Sequence, residues 1–249
     1  MTEAIRVSVH PDRTSMGRAA AAAIADAVRA GLVRRPTLRM VFAAAPSQRE
    51  MLHALAQELD VDWSRVTAFH MDEYLGLPPD VPQRFGGWLH EEFFDRVPLG
   101  AVRLIEPGSD PERTAVEYAA ELAEAPIDLV CLGIGDNGHL AFNDPPVADF
   151  DDPAAVKIVE LDEACRRQQV ADGCFPALAD VPRTALTLTI PRLLAADRLI
   201  GVVPGPRKRE AVRRALTDPI GPACPATALR THPDCTLFLD ADAAAGLPR

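Results

Sequence analysis

The sequence predicts an α/β fold: a mostly parallel, twisted sheet with helices on both faces. Three observations point there. Strand-like and helix-like segments alternate along the whole chain, the order that builds βαβ units. Leu38 to Ala43, Ile127 to Leu132 and Leu199 to Val203 are short, nearly continuous apolar runs, as strands covered on both faces are. The Ile127 to Leu132 run then breaks into Gly133-Ile134-Gly135-Asp136-Asn137-Gly138-His139, a glycine-rich turn where open parallel sheets bind ligands.

Ile5 to Val9 alternates as a short strand, and Thr14 or Ser15 can cap the Ala-rich helix running to about Ala30. Leu38 to Ala43 is followed by Ala44-Ala45-Pro46-Ser47-Gln48 and a second helix ending near Leu59. A strand, a small-residue turn and a helix start offer N–H groups to a phosphate, although an N-cap by Ser47 is the simpler reading of that spacing. Val66 to Met71, the third strand, enters a loop, Asp72-Glu73-Tyr74-Leu75-Gly76-Leu77-Pro78. Pro78 to Gly87 continues as loop, Trp88 to Phe94 is an aromatic helix, Arg103 to Ile105 a short strand and Pro111 to Glu124 an amphipathic helix.

Past the glycine turn, Asp144 to Asp152 is a long Pro- and Asp-rich loop able to cover a site. Val156 to Leu161 returns to strand, and Asp162 to Val170 carries Arg166, Arg167, Gln168 and Gln169, suited to a ligand or to a solvated helix face. Ala185 to Ile190 alternates apolar residues with threonine, Pro191 to Ala196 starts a helix, and Leu199 to Val203 is strand. Pro204-Gly205-Pro206-Arg207-Lys208-Arg209 then opens a helix to Leu216, and Thr236 to Leu239 completes the sheet.

At 249 residues the chain suffices for one large α/β domain or two small ones. No repeat or linker divides it, so a single domain over residues 1–249 is expected. The 48% hydrophobic and 25% charged content is ordinary for a soluble globular protein. A net charge of −10 argues against nucleic-acid or anionic-membrane partners and requires any anionic ligand to find a local basic pocket. Five scattered cysteines without a CxxC pair fit free thiols in a reducing cytosol better than disulfides or a zinc site. No apolar signal core opens the chain and no window approaches 18 apolar residues, so a cytoplasmic location is expected. The oligomeric state is open, a homo-oligomer included.

Three places carry chemistry. Asp136, Asn137 and His139 on the glycine turn suit an active site, and equally a turn capped by its own polar residues. Asp72 and Glu73 are adjacent carboxylates at a strand end. Packed against the glycine turn, one would serve as a general base with its pKa raised by its neighbour; otherwise they form a solvated acidic loop end. Lys208, at a helix start after a Gly turn, adds a point charge to the N-terminal dipole, a good phosphate site.

The run His70-Met71-Asp72-Glu73-Tyr74-Leu75-Gly76-Leu77, followed by Gly133 to Pro145 with its Gly-His-Leu-Ala-Phe-Asn core, resembles the glucosamine-6-phosphate deaminase family. The likeness extends to Ala185-Leu186-Thr187, Gly205-Pro206-Arg207-Lys208, Cys224-Pro225 and His232-Pro233. It implies a Rossmann-like fold shared with the more distant 6-phosphogluconolactonases, no cofactor and no metal. It further implies that Asp72 moves a proton between C2 and C1 of an open-chain sugar and that His139 helps to open the pyranose ring. Asn137 and Asp144 would orient His139, while Ser47, Glu73, Asp136, Gly138, Arg166 and Lys208 would bind the phosphosugar substrate.

The chain departs from the family pattern at several of these positions. Asn-Asp before Gly-His is inverted to Asp136-Asn137, putting an amide where the family has a carboxylate on the imidazole. Such an amide accepts a hydrogen bond without stabilising imidazolium by charge. Asp144 is one methylene shorter than the family's glutamate, Ala44-Ala45-Pro46-Ser47 stands for its Thr-Gly-Gly-Thr phosphate turn, and Arg166 is the candidate for its phosphate arginine. The leading expectation is conversion of glucosamine 6-phosphate, or a close relative, to fructose 6-phosphate and ammonia. A lactonase-type hydrolase and a non-catalytic sugar-phosphate sensor are the alternatives.

Overall fold

The computed structural model describes residues 5–145 and 147–247, so residues 1–4, Pro146, Pro248 and Arg249 lie outside the described residues. In chain order the elements begin with β1 (Arg6–His10), α1 (Arg13–Arg34), β2 (Leu38–Phe42), α2 (Arg49–Leu55), β3 (Val66–His70), β4 (Asp72–Tyr74) and α3 (Phe85–Glu92). They continue through β5 (Ala101–Arg103), α4 (Pro111–Ala123), β6 (Leu129–Leu132), β7 (Val156–Glu160), α5 (Glu163–Ala171), β8 (Thr184–Leu188) and α6 (Ile190–Leu194). The chain closes with β9 (Arg198–Val203), α7 (Arg209–Thr217), β10 (Cys235–Asp240) and α8 (Ala241–Ala244).

Seven strands form one sheet in the order β1-β10-β9-β6-β2-β3-β5, every neighbouring pair parallel. After β2 the chain adds strands toward one edge, and after β6 it adds them toward the other. The order therefore reverses between β2 and β6, which opens a crevice at their carboxyl ends. The period-two pleat divides the core between the two faces. Leu38, Met40, Phe42, Leu129 and Cys131 join the apolar cluster beneath α1 and α2; Val41, Val130 and Leu132 join the opposite one, under α4 and α7. Each large side chain so buried contributes about 1.5–3 kcal/mol, and the mostly parallel sheet is the expected one.

A second sheet, β4-β8-β7, is antiparallel and corrects the reading of Asp72-Glu73-Tyr74 as loop. Leu188 N–H bonds Met71 O at 2.8 Å, and Asp72 stands opposite Thr187. The partner strand is more than a hundred residues away, beyond the reach of local pattern.

Helix starts also differ from expectation. Asp12, not Thr14 or Ser15, caps α1: its extended backbone lets the side chain accept from Ser15 N–H at 2.8 Å, and Ser15 Oγ accepts in return from Asp12 N–H. That capping box supports a helix reaching Arg34, past Ala30. Among the described residues Ser47 makes no capping hydrogen bond; it lies in a single 3-10 turn, Pro46–Gln48, and α2 runs only to Leu55. The aromatic helix starts at Phe85 rather than Trp88, because Glu73 accepts from Phe85 N–H and Gly86 N–H at 3.2 and 3.0 Å. No described helix is long and apolar enough to cross a membrane.

Candidate active site

An open cavity occupies the crevice at the carboxyl ends of β2, β3 and β6, where open parallel sheets bind their ligands. Asp72, His139, Ser47 and Lys208 line it, from four separate parts of the chain, together with the aromatic wall of Phe85 and Phe142. A second hollow continues from it past Ser47 and Lys208 to Arg13 and Arg207.

Asp72 reaches the cavity from β4. Burial, and then the charge of Glu73, hold its carboxyl well above the usual carboxylate range. Glu73 itself points away from the cavity, and the solvated acidic loop end is thereby corrected: the side chain is fully buried. Burial pushes Glu73 up, but facing His70, the Gly86 N–H and the Arg84 guanidinium outweigh that and hold it below its ordinary value. His70 Nε2 lies 3.8 Å from Glu73 Oε2 and Arg84 Nε 3.6 Å from the same oxygen. Glu73 is thus a buried anion that fixes the start of α3 and charges the surroundings of Asp72.

His139 is set by the glycine turn. Gly135 N–H bonds His139 O, and Gly138 N–H bonds Gly135 O, both at 3.0 Å. A Cβ on Gly135 would clash with the His139 imidazole, 2.2 Å from its Nε2. Gly138 has φ +89° and packs on Cys224, leaving no room for a side chain there. His139 Nδ1 lies 2.9 Å from Asp144 Oδ1. Burial raises Asp144, but His139 and then the Asn137 amide outweigh it and hold the carboxyl below its ordinary range.

Asn137 does not stand on the imidazole as the family pattern would have it. Its Nδ2 donates to Asp144 Oδ1 at 2.8 Å and its Oδ1 accepts from His139 N–H at 3.0 Å. Among the described residues it makes no hydrogen bond to the ring. The inverted neighbour, Asp136, turns instead to Lys208, with Oδ1 2.6 Å from Nζ. Arg166 does not line the cavity: its guanidinium donates to Leu178 O and Val181 O, at 2.6 and 2.9 Å, tying α5 to the following turn. Gln168 and Asp172, on the other side of α5, do line it. The sequence places Gln168 beside Arg166 without separating them, names Arg207 without giving it a role, and offers no signal for Asp172.

The donor atoms of His139, Asp144 and Cys165 lie within 4.8 Å of one another, a grouping that sequence spacing did not announce. Burial, the Asp144 charge and a hydrogen bond to Asp144 hold the Cys165 thiol well above its ordinary value. In this arrangement the thiol serves as a donor to the Asp144 carboxylate.

Aromatic packing locks these pieces together. Tyr74 of β4 packs with tilted rings against Phe85 at 4.7 Å and Phe142 at 5.3 Å between centroids, and Asn143 Nδ2 donates to Leu188 O at 2.8 Å. The Asp72 strand and the His139 loop are thus both fastened to β8.

An open parallel sheet with a titratable cavity at its switch point defines a small-ligand α/β protein. The family model for glucosamine-6-phosphate isomerases/6-phosphogluconolactonase matches residues 11–238, and the chain belongs to that family. It is 35% identical over 209 residues to glucosamine-6-phosphate deaminases of Bacillus thuringiensis (strain Al Hakam) and Bacillus anthracis (strain A0248), covering 84% of this chain and 77% of each relative. Among solved structures it is similar to a monomeric glucosamine-6-phosphate deaminase, with TM-score 0.90, 26% identity and 98% and 100% of the two chains covered. A 6-phosphogluconolactonase from Trypanosoma brucei shares the fold at TM-score 0.81 and 20% identity, over 98% and 99% of the chains.

Proposed function

We propose that this chain is an amino-sugar phosphate isomerase/deaminase that converts glucosamine 6-phosphate, or a close relative, to fructose 6-phosphate and ammonia. The observation that carries the reading is one cavity lined by a buried carboxyl, Asp72, an imidazole paired to a carboxylate, His139 with Asp144, and a hydroxyl and ammonium, Ser47 and Lys208. His139 passes a proton to the ring oxygen as the pyranose opens, and Asp144 stabilises the imidazolium charge while that proton is held. Asp72 takes the C2 proton and returns it to C1, giving a C2 ketimine; water adds across that C=N bond to form the carbinolamine, which sheds ammonia and leaves the ketose. A carboxyl raised by burial is a stronger base than an exposed one once ionised, which suits removal of a carbon-bound proton. Ser47 and Lys208 hold the phosphate, while Phe85 and Phe142 exclude water from the other wall.

Ammonia release from glucosamine 6-phosphate tests the proposal against its alternatives. Acid release from 6-phosphogluconolactone with no ammonia would replace it by a hydrolase in which His139 activates water. Thermal stabilisation by the sugar phosphate without turnover would leave a sensor.

A further inference from the structure

The anion end of the cavity is electrostatically cancelled. Three cations line the hollow beyond Ser47: Arg13, Arg207 and Lys208. Each is matched by a carboxylate. Arg13 pairs with Glu50 at 2.9 Å, Arg207 with Asp172, and Lys208 with Asp136 at 2.6 Å. Arg207 also lies 3.7 Å from Asp136, so this one carboxylate faces two of the three cations. Asp136 is held in place from behind: its backbone N–H donates to Gln168 Oε1 at 2.7 Å. Lys208 is buried, with 6% of its surface exposed, while Asp136 is only partly so.

We infer that Asp136 is a built-in competitor for the anion at Lys208, a specificity-determining carboxylate that occupies the ammonium until a stronger dianion displaces it. The inference rests on the phosphosugar reading of this cavity and deepens it. A buried ammonium costs free energy unless paired, and Asp136 supplies that pair in the absence of ligand. An incoming phosphate must then exchange one anion for another rather than fill an empty cation site. A dianionic phosphate monoester offers two charges and three acceptor oxygens against one carboxylate, so it wins the exchange. A ligand bearing a single carboxylate gains little by it. The aspartate therefore lowers affinity for every anion but penalises monoanions most, and it sharpens the choice of phosphorylated over merely acidic sugars.

The test is isothermal titration of the full chain with inorganic phosphate and, separately, with acetate, in wild type, Asp136→Asn and Asp136→Ala. Removing the competing charge at this short distance is expected to tighten phosphate about fivefold or more in both variants and to narrow the gap between phosphate and acetate. Unchanged or weakened phosphate binding in the folded variants overturns the inference, weakening being what a carboxylate that merely positions Lys208 would give. If Asp136→Asn fails to fold, Asp136→Ala carries the measurement, and Asp172→Asn, freeing Arg207 by the same logic, is expected to move phosphate in the same direction. Absence of phosphate binding in all the proteins also overturns it. Because titration needs no turnover, tightened phosphate in a chain that releases no ammonia sinks only the deaminase reading. Ammonia release with unaltered phosphate affinity sinks only the competitor.

Discussion

Asn137 Nδ2 donates to the Asp144 oxygen that faces His139 Nδ1. The amide braces the carboxylate and leaves the ring to Asp144. Asn137→Asp restores the residue type the family pattern carries there, yet it would set two carboxylates at the 2.8 Å of that contact. Like charges so close raise one pKa and withdraw the ionised partner from His139. Turnover of glucosamine 6-phosphate is expected to fall by about tenfold or more. A gain in turnover would show that the turn re-forms with the new carboxylate on the imidazole.

Asp72→Asn separates chemistry from stability. The folded-state pKa of Asp72 is raised, so its protonated form is the one the fold prefers. That contribution is complete below the ordinary carboxylate range and is lost as pH rises through the raised value. At neutral pH the wild type therefore carries a penalty that the amide lacks. Exchange of the substrate C2 hydrogen with solvent is expected to vanish, while the unfolding temperature rises at pH 7–8 and the difference closes at acid pH. Full exchange in the variant would remove Asp72 from its proposed role.

Glu73→Gln probes the charge behind the base. It removes the like charge that helps to raise Asp72, so the acid limb of the kcat/KM profile is expected to move to lower pH. The amide also leaves Arg84 and the start of α3 with a poorer partner, at a cost of about 1–3 kcal/mol in urea unfolding. An acid limb that stays put would mean that another group sets it.

Two alanine substitutions in the glycine turn are expected to fail differently. Gly135→Ala drives a methyl into the His139 ring and should reduce turnover by about a hundredfold through displacement of the imidazole. Gly138→Ala meets Cys224 Sγ at 2.6 Å on a backbone with φ +89°, so stability is lost, by about 1–3 kcal/mol. Circular-dichroism melts beside ammonia assays distinguish the two.

The parallel sheet was legible because strands such as Leu129–Leu132, covered on both faces, are written as apolar runs. In the small antiparallel sheet the strand at Val156 was legible too, but Asp72-Glu73-Tyr74 was not, since it carries polar residues whose burial is justified only by partners near 85 and 187. Asp72, His139, Ser47 and Lys208 each end a recognisable strand–turn unit, and the structure gathers them into one hollow. Arg166 and Gln168 sit two positions apart on one helix, so only the packing of α5 reveals which faces the ligand. The destination of Asp136 was hidden for the same reason: sequence order places it beside His139, whereas the turn sends its carboxylate to Lys208.

Both halves of the proposed acid–base machinery hang from β8, Asp72 opposite Thr187 and the His139 loop through Asn143 to Leu188. During synthesis the base therefore lacks its frame until residues 184–188 have left the ribosome, however early the first strands collapse. Contacts of such long sequence separation form slowly. On refolding from denaturant, recovered turnover is accordingly expected to lag the burial of Trp63, whose partner Phe93 is only thirty residues away.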